Sequence, residues 1–198
     1  STGCTATMTG SVNVVVNALP TVFTITGGGS YCFGSTAPTI GLSGSQTGVS
    51  YQLIRDGITV VTTVSGTGSS ISFGVQSTAG TYTVVATSTA GCVSTMSGST
   101  VVAVNPLPTA FTVAGGGGYC SGGSGVAVTL SGSQSGVNYQ LNNFSGAVGS
   151  PVSGTGASIS FGLQTVASTY TVVATNAVSG CTANMTGSVV VSVNPLPT

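Results

Sequence analysis

The chain repeats its own sequence after 88 residues, and this repeat limits the possible folds more than any other feature. PTVFTITGGGSYC at 20–32 returns as PTAFTVAGGGGYC at 108–120, and TYTVVAT at 81–87 returns unchanged at 169–175. The offset becomes 89 after one extra residue enters before Cys181. Because a repeated sequence builds a repeated structure, we predict one structural unit for each period.

The first 20 residues follow the same pattern. CTATMTGSVNVVVNALP at 4–20 matches the end of both full copies, at 92–108 and 181–197. The predicted organisation is the last strand and linker of a preceding repeat and then two complete repeats, at 1–20, 21–108 and 109–198. On this hypothesis the sequence is part of a longer tandem array. The alternative is a two-domain protein with an additional N-terminal strand.

Short segments in each repeat alternate apolar and small polar residues. Tyr82, Val84 and Ala86 fall on one face of such a segment, and Thr residues fall on the other. A period of two predicts strands with one buried face. We predict strands near 21–27, 38–44, 49–55, 58–64, 70–76, 81–88 and 93–104. About seven strands in a repeat of 88–89 residues predict an all-β fold of tandem immunoglobulin-like β-sandwiches.

Three further features of the repeat have a predicted structural role. Tyr82 stands where such sandwiches often place a corner tyrosine. The glycine runs GGGS and GGGG are interpreted as flexible connectors. NPLPT recurs at 105–109 and 194–198, with NALPT at 17–21. Proline fixes φ and cannot extend a strand ladder, so we expect this segment to end the last strand and form a stiff linker.

The repeat also organises the five cysteines. Cys32 and Cys92 fall in the first full repeat, and Cys120 and Cys181 in the second. Cys4 aligns with the later cysteine of each pair, so its partner would lie in a preceding repeat and we expect it to be unpaired here. One disulfide per repeat is predicted, which implies an oxidising compartment. Metal binding is the alternative, but two cysteines without His or carboxylate make a poor site.

The pairing of these cysteines is less determined by the sequence. Seven strands would place Cys32 and Cys92 at opposite poles of a sandwich, whereas bonded Cα atoms lie within about 7 Å. Either one strand is misassigned or the glycine-rich segment carries Cys32 back along the domain. We prefer pairing within each repeat. Pairing of Cys32 with Cys181, across the junction between repeats, is the alternative.

The composition leaves little material for catalysis. Arg55 and Asp56 are the only charged side chains, and the chain has no His. General acid–base catalysis needs His, a carboxylate or an activated Lys, and the sole candidate is Asp56, in a predicted turn beside Arg55. Calcium binding needs clustered carboxylates, and nucleic-acid binding needs a basic surface. We therefore predict a non-enzymatic protein without cofactor, metal site or nucleic-acid partner. No run of 18 apolar residues is present, so no membrane-spanning helix is expected.

Four sequence motifs carry a resemblance: YC-x-G, G-x-YTVVAT, a Gly-Cys after it, and V-x-VNPLPT. The matching residues are Cys32, Tyr82, Cys92 and 105–109, with Cys120, Tyr170, Cys181 and 194–198. The chain resembles the tandem Ig-like or PKD-like repeats in very large secreted surface proteins of Bacteroidetes-type bacteria. The resemblance implies export across the outer membrane and service as an adhesin, stalk or extracellular filament. Many such repeats carry acidic residues, and the presence of only one here argues against calcium-dependent roles.

A surface of Thr, Ser, Asn and Gly with almost no charge favours association. The predicted function is therefore a structural repeat of a long, secreted protein that forms or decorates a cell-surface filament. Its expected partners are copies of itself, arranged laterally, end to end or by donor-strand exchange through residues 1–20. The main alternative is an adhesin module that recognises a glycan or another surface. Ice binding through flat Thr arrays is a weaker alternative.

Overall fold

The computed structural model describes residues 1–197; Thr198, which ends the last NPLPT segment, lies outside the described residues. All regular elements of the described chain are β-strands. The first repeat contains β1 (Ile25–Gly27), β2 (Gly29–Cys32), β3 (Thr39–Leu42), β4 (Val49–Arg55), β5 (Thr59–Ser65), β6 (Ile71–Val75), β7 (Gly80–Ser88), β8 (Val93–Thr95) and β9 (Thr100–Asn105). The second contains β10 (Val113–Gly115), β11 (Gly117–Cys120), β12 (Val126–Leu130), β13 (Val137–Asn143), β14 (Gly146–Ser153), β15 (Ile159–Gln164), β16 (Ser168–Asn176), β17 (Thr182–Asn184) and β18 (Val189–Asn194).

The strands of each repeat form a three-stranded and a six-stranded sheet. In the first repeat the orders are β1-β3-β6 and β2-β9-β7-β4-β5, with β8 also paired to β7. In the second they are β10-β12-β15 and β11-β18-β16-β13-β14, with β17 paired to β16. Both repeats therefore have the strand order of an immunoglobulin-like sandwich, as predicted.

The chain divides into two compact units. The first comprises Ser1–Gly29 and Ala37–Ala103, and the second comprises Ser30–Thr36 and the residues from Val104 onward. The short segment Ser30–Thr36 thus belongs to the first repeat by sequence and to the second unit by its contacts.

The core of each unit comes from the alternating segments. In the first unit Tyr51 and Leu53 of β4 and Tyr82 and Val84 of β7 are fully buried, which confirms the predicted period of two. In the second unit the core draws on both sheets, with the buried residues Val113, Val128, Leu130, Val137, Tyr139, Leu141, Ile159, Tyr170, Val172, Ala174, Met185 and Val191. Burial of aromatic and aliphatic side chains between two sheets is the main stabilising term of such a fold.

The glycine runs are structured, so their interpretation as flexible connectors is wrong. They carry the chain from one sheet to the other, between β1 and β2 and between β10 and β11. Gly27 has φ 82°, and a Cβ there would collide with the carbonyl oxygen of Thr39. Gly115 has φ 91°, and a Cβ there would collide with the carbonyl oxygen of Ala127. Only glycine combines positive φ with so close an approach of two backbones.

Two differences raise the strand count from about seven to nine in each repeat. GSYC forms the additional strand β2, and the predicted strand at 93–104 is divided into β8 and β9. Between these, the buried Met96 accepts a hydrogen bond at its sulfur from the Phe23 N–H, at 3.4 Å. Because of this interruption, β8 pairs with one part of β7 and β9 pairs with another part of the same strand.

The NPLP segments and residues 1–19 contain no strand beyond the asparagine that begins each NPLP. β9 and β18 end at Asn105 and Asn194, the residues immediately before the first proline of each NPLP segment, as the prolines predict. Residues 1–19 are exposed and have no strand among them, although a copy of this sequence forms β17 and β18. The assignment of residues 1–20 to a preceding repeat stays a prediction.

Candidate functional site

The early cysteine of each repeat ends a strand that lies beside the last strand of the same repeat. β11 runs parallel to β18, with Tyr119 opposite Val193 and Cys120 opposite Asn194. The N–H of Ser121 then donates to the Asn194 carbonyl oxygen at 2.8 Å. This arrangement brings Cys120 to the point where β18 passes into the proline linker.

The first repeat has the same arrangement around Cys32. β2 neighbours β9 in the six-stranded sheet. The N–H of Phe33 donates to the Asn105 carbonyl oxygen at 2.9 Å, matching the bond that Ser121 makes. Phe33, Val104, Pro106 and Leu107 line a shallow apolar hollow next to this bond.

The late cysteine of the second repeat, Cys181, lies immediately before β17. Cys181 precedes β17, and its carbonyl oxygen accepts a hydrogen bond from the Asn176 N–H at 2.9 Å. The Asn176 side chain also closes the turn, because its Oδ1 accepts from the N–H groups of Val178 and Ser179, both at 2.9 Å. Cys181 is only 1% exposed.

Cys32 and Cys181 form a disulfide with a Cα–Cα distance of 5.6 Å. The bond joins a residue of the first sequence repeat to a residue of the second, 149 positions apart. Both cysteines belong to the second compact unit, because Ser30–Thr36 is part of that unit. The preferred pairing within each repeat is therefore wrong, and the alternative across the repeat junction is correct for Cys32 and Cys181.

Strand direction explains why Cys120 and Cys181 do not pair within the second repeat. Cys181 precedes Thr182, which faces Thr175 of β16, whereas Cys120 lies opposite Asn194 at the far end of β18. Along the strand direction, roughly ten residues separate the position of Cys181 from that of Cys120, which is about 33 Å at about 3.3 Å per residue. A disulfide spans only about 7 Å between Cα atoms. Cys92, Cys120 and Cys4 accordingly carry free thiols in this chain.

A glutamine that the sequence analysis did not single out anchors the linker to each sandwich. Oε1 of Gln134 accepts a hydrogen bond from the N–H of Thr109, the last residue of NPLPT, at 2.6 Å. The Gln134 N–H in turn donates to the buried Tyr139 hydroxyl at 2.8 Å. Gln46 makes the equivalent bond to Thr21 in the first repeat, also at 2.6 Å.

The repeated phrases LSGSQ and VSGTG contained the signal for this anchor. Ser133, beside Gln134, donates its hydroxyl to the carbonyl oxygen of Ala157 at 2.6 Å and accepts from the N–H of Thr155 at 2.9 Å. A Cβ on Gly154 would collide with the Gln134 carbonyl oxygen. The two phrases therefore fit together as one loop pair that presents the glutamine to the linker.

The predicted tyrosine corner is present. The Tyr82 hydroxyl donates to the Thr78 carbonyl oxygen at 2.8 Å, and the Tyr170 hydroxyl donates to the Val166 carbonyl oxygen at 2.9 Å. Each bond runs from a buried strand to the loop just before it, as in immunoglobulin-like sandwiches.

The charged pair occupies an exposed turn. Arg55 Nε lies 3.7 Å from Asp56 Oδ2, and Asp56 Oδ1 accepts a hydrogen bond from the Thr81 N–H at 2.8 Å. The equivalent position of Asp56 in the second repeat is Phe144. Exposed ion pairs of this kind contribute little to stability.

Within residues 1–197, no group of three or more His, Cys, Asp or Glu side chains is placed to hold a metal ion. Over the same range, helices long and apolar enough to cross a bilayer are absent.

No protein-family model and no curated protein matches the chain. Among solved structures, it is similar to a biofilm associated protein BSP domain with 13% identity, covering 88% of this chain and 30% of that one, at a TM-score of 0.31. It is similar to a Ca²⁺-stabilized adhesin of an Antarctic bacterium with 20% identity, covering 88% and 50%, at 0.47. It is also similar to Clostridium thermocellum CbhA fibronectin(III)-like modules with 14% identity, covering 85% and 94%, at 0.40. All three TM-scores are below 0.5.

Proposed function

We propose that the chain is a structural repeat of a long extracellular protein that forms or decorates a cell-surface filament. The observation that carries the proposal is the disulfide between Cys32 and Cys181, which links one sequence repeat to the next in addition to the backbone. A bond of this kind suits an oxidising environment outside the cytoplasm.

The disulfide has a direct mechanical consequence. A force that pulls the two ends of the chain apart passes from Cys32 to Cys181 through the sulfur atoms. The residues between them form a closed loop that the force does not stretch. A crosslink of this type limits extension even when a sandwich unfolds, which is a property expected of a filament under load and not needed by a soluble binding module.

The surface supports self-assembly as the second element of the proposal. The chain contains one basic and one acidic side chain, which are neighbours in sequence. Copies of the chain therefore meet with little electrostatic repulsion, and changes of salt concentration have little effect on their association. Lateral or end-to-end contact between copies is the proposed partnership.

The test is immunogold electron microscopy of the native cell surface with an antibody raised against the purified chain. We expect gold particles along extracellular filaments, with a beaded repeat of roughly 3–4 nm for about ten or more strand residues per sandwich. Isolated two-lobed particles, or labelling inside the cell only, would contradict the proposal. Labelling confined to the outer tips of the filaments would instead favour the adhesin hypothesis.

A further inference from the structure

Cys120 occupies in the second repeat the position that Cys32 occupies in the first. Each ends a strand beside the last strand of its own repeat, and each is followed by an N–H that donates to the carbonyl oxygen of the asparagine that begins NPLP. The two hydrogen bonds, from Phe33 to Asn105 and from Ser121 to Asn194, measure 2.9 and 2.8 Å. Cys32 is bonded to a late cysteine, whereas Cys120 is exposed with a free thiol.

Cys92 likewise reproduces the setting of Cys181. The Cys92 carbonyl oxygen accepts from the Ser88 N–H, and the Cys181 carbonyl oxygen accepts from the Asn176 N–H, both at 2.9 Å. The two cysteines therefore follow turns that are closed by the same backbone hydrogen bond, but of the two only Cys181 forms a disulfide.

The Cys92 thiol lies close to the NALPT segment at 17–21. Its sulfur lies 3.8 Å from the carbonyl oxygen of Asn17. Asn17 opens NALPT, as Asn105 opens NPLPT. The Asn105 carbonyl oxygen is the group that binds Phe33, the neighbour of the bonded Cys32. The Asn17 carbonyl oxygen beside the Cys92 thiol is therefore the repeat equivalent of the Asn105 carbonyl oxygen, which binds the residue after Cys32.

We propose that Cys120 and Cys92 form disulfides with further copies of this repeat. Cys120 pairs with the late cysteine of a following copy, and Cys92 pairs with the early cysteine of a preceding copy. This inference rests on the proposed role as one repeat of a longer array. The partner of each thiol is a cysteine in the same sandwich environment as Cys32 or Cys181.

The consequence for an array follows from two lengths. Each disulfide closes a loop of 149 positions, whereas the repeat advances by only 88 or 89. Successive loops therefore overlap, and every residue of an interior repeat lies inside at least one loop. No sandwich in such an array can be stretched to its full length while the disulfides are intact.

Forming each bond is a two-electron oxidation. The two thiols lose their protons, the two sulfur atoms join, and two electrons pass to the disulfide of a thiol–disulfide oxidoreductase, which is released as a dithiol. The thiolate of one cysteine attacks that disulfide, and the second cysteine resolves the mixed disulfide.

The test extends the full chain by one further copy of residues 110–198, joined after Thr198. The extended chain is produced in an oxidising compartment, alkylated without reduction and digested with pepsin, because a single Arg makes trypsin unsuitable. We expect mass spectrometry to find the peptide of Cys120 bonded to the peptide of the appended copy of Cys181. The number of free thiols should stay at three, as in the original chain.

A Cys120→Ser variant of the extended chain is the matched control. It should lose the new disulfide and keep the Cys32–Cys181 bond, because the Cys120 thiol is exposed and serine keeps the backbone hydrogen bonds of this position. A free Cys120, a mixture of partners, or dimers bonded through two copies of Cys120 would overturn the inference.

This experiment separates the inference from the function on which it rests. Filaments on the cell surface together with a free Cys120 would contradict the proposed disulfides between copies and leave the filament proposal in place. A specific Cys120 disulfide in the extended chain without any surface filament would contradict the filament proposal and leave the disulfides in place.

Discussion

The hydroxyl group of Tyr170 donates a hydrogen bond to the carbonyl oxygen of Val166, four residues earlier, at 2.9 Å. Tyr170 lies in β16 and is only 1% exposed, so its phenol ring belongs to the core while its oxygen holds the loop before the strand. Tyr82 and Thr78 repeat this relationship in the first sandwich. The bond closes the corner at which the chain passes from one sheet to the other.

Replacement of this hydroxyl should weaken the second sandwich measurably. Tyr170→Phe keeps the buried ring but leaves the Val166 carbonyl oxygen without its partner. We expect a loss of about 1 kcal/mol in the free energy of unfolding, the usual net value of one hydrogen bond. Urea denaturation followed by circular dichroism measures it. Phe144→Ala, at an exposed turn position, should change stability by less than about 0.5 kcal/mol; equal stabilities of Tyr170→Phe and the unaltered chain would contradict the prediction.

The sequence predicted those parts of the fold that depend on a local pattern. Alternation in β4 and β7 identified buried residues such as Tyr51 and Val84, because one face of each strand lies against the core. The corner tyrosine was recognisable because its partner is a loop carbonyl only four residues away. The prolines of NPLPT indicated where β9 and β18 end, because proline has no N–H to continue a ladder.

Features that depend on distant strands could not be predicted in this way. GSYC resembles a loop because it follows glycines, yet it forms β2 by pairing with a strand about 70 residues later. The Cys32 partner depends on the end of the sandwich at which each cysteine emerges, which the number of strands alone does not determine. Gln134 carries no local signal for its role, because its partner, Thr109, is 25 positions away.

The glycine crossing between β10 and β11 should be intolerant of any side chain. Gly115→Ala combines an unfavourable positive φ with a collision against the Ala127 carbonyl oxygen, so we expect a loss of about 3 kcal/mol or more in the free energy of unfolding. Gly122→Ala is the matched control, since its φ of 83° is similar to the 91° of Gly115 but its Cβ would have no neighbour within 4 Å.

Gly122→Ala should cost about 1 kcal/mol, the penalty of the backbone conformation alone. Chemical denaturation of both variants separates the collision from the backbone term. Similar losses in the two variants would mean that the glycine run does not need its close backbone contact.

The Gln134 anchor should protect the linker amide from exchange with solvent. Gln134→Ala removes the acceptor of the Thr109 N–H, so we expect its hydrogen exchange to become faster by roughly tenfold, equivalent to about 1.4 kcal/mol. Gln134→Glu is the matched variant, because a carboxylate oxygen can still accept this bond. Amide exchange measured by NMR should therefore be slow in the Glu variant and fast in the Ala variant; equal rates in both would exclude the anchor.

The disulfide between Cys32 and Cys181 should determine how far the chain can be stretched. When the two ends are pulled in a single-molecule force experiment, the oxidised chain should extend only through the residues outside the bond, because the closed loop of 149 positions carries no tension. The double variant Cys32→Ser with Cys181→Ser opens this loop and should lengthen the fully extended chain by up to about 50 nm, at about 3.4 Å per residue. It should also lower the free energy of unfolding by about 2–5 kcal/mol.

Cys92→Ser with Cys120→Ser is the control and should extend like the unaltered chain, since both thiols are free. Full extension of the oxidised chain would show that the bond does not form between these two cysteines and would remove the mechanical basis of the filament proposal.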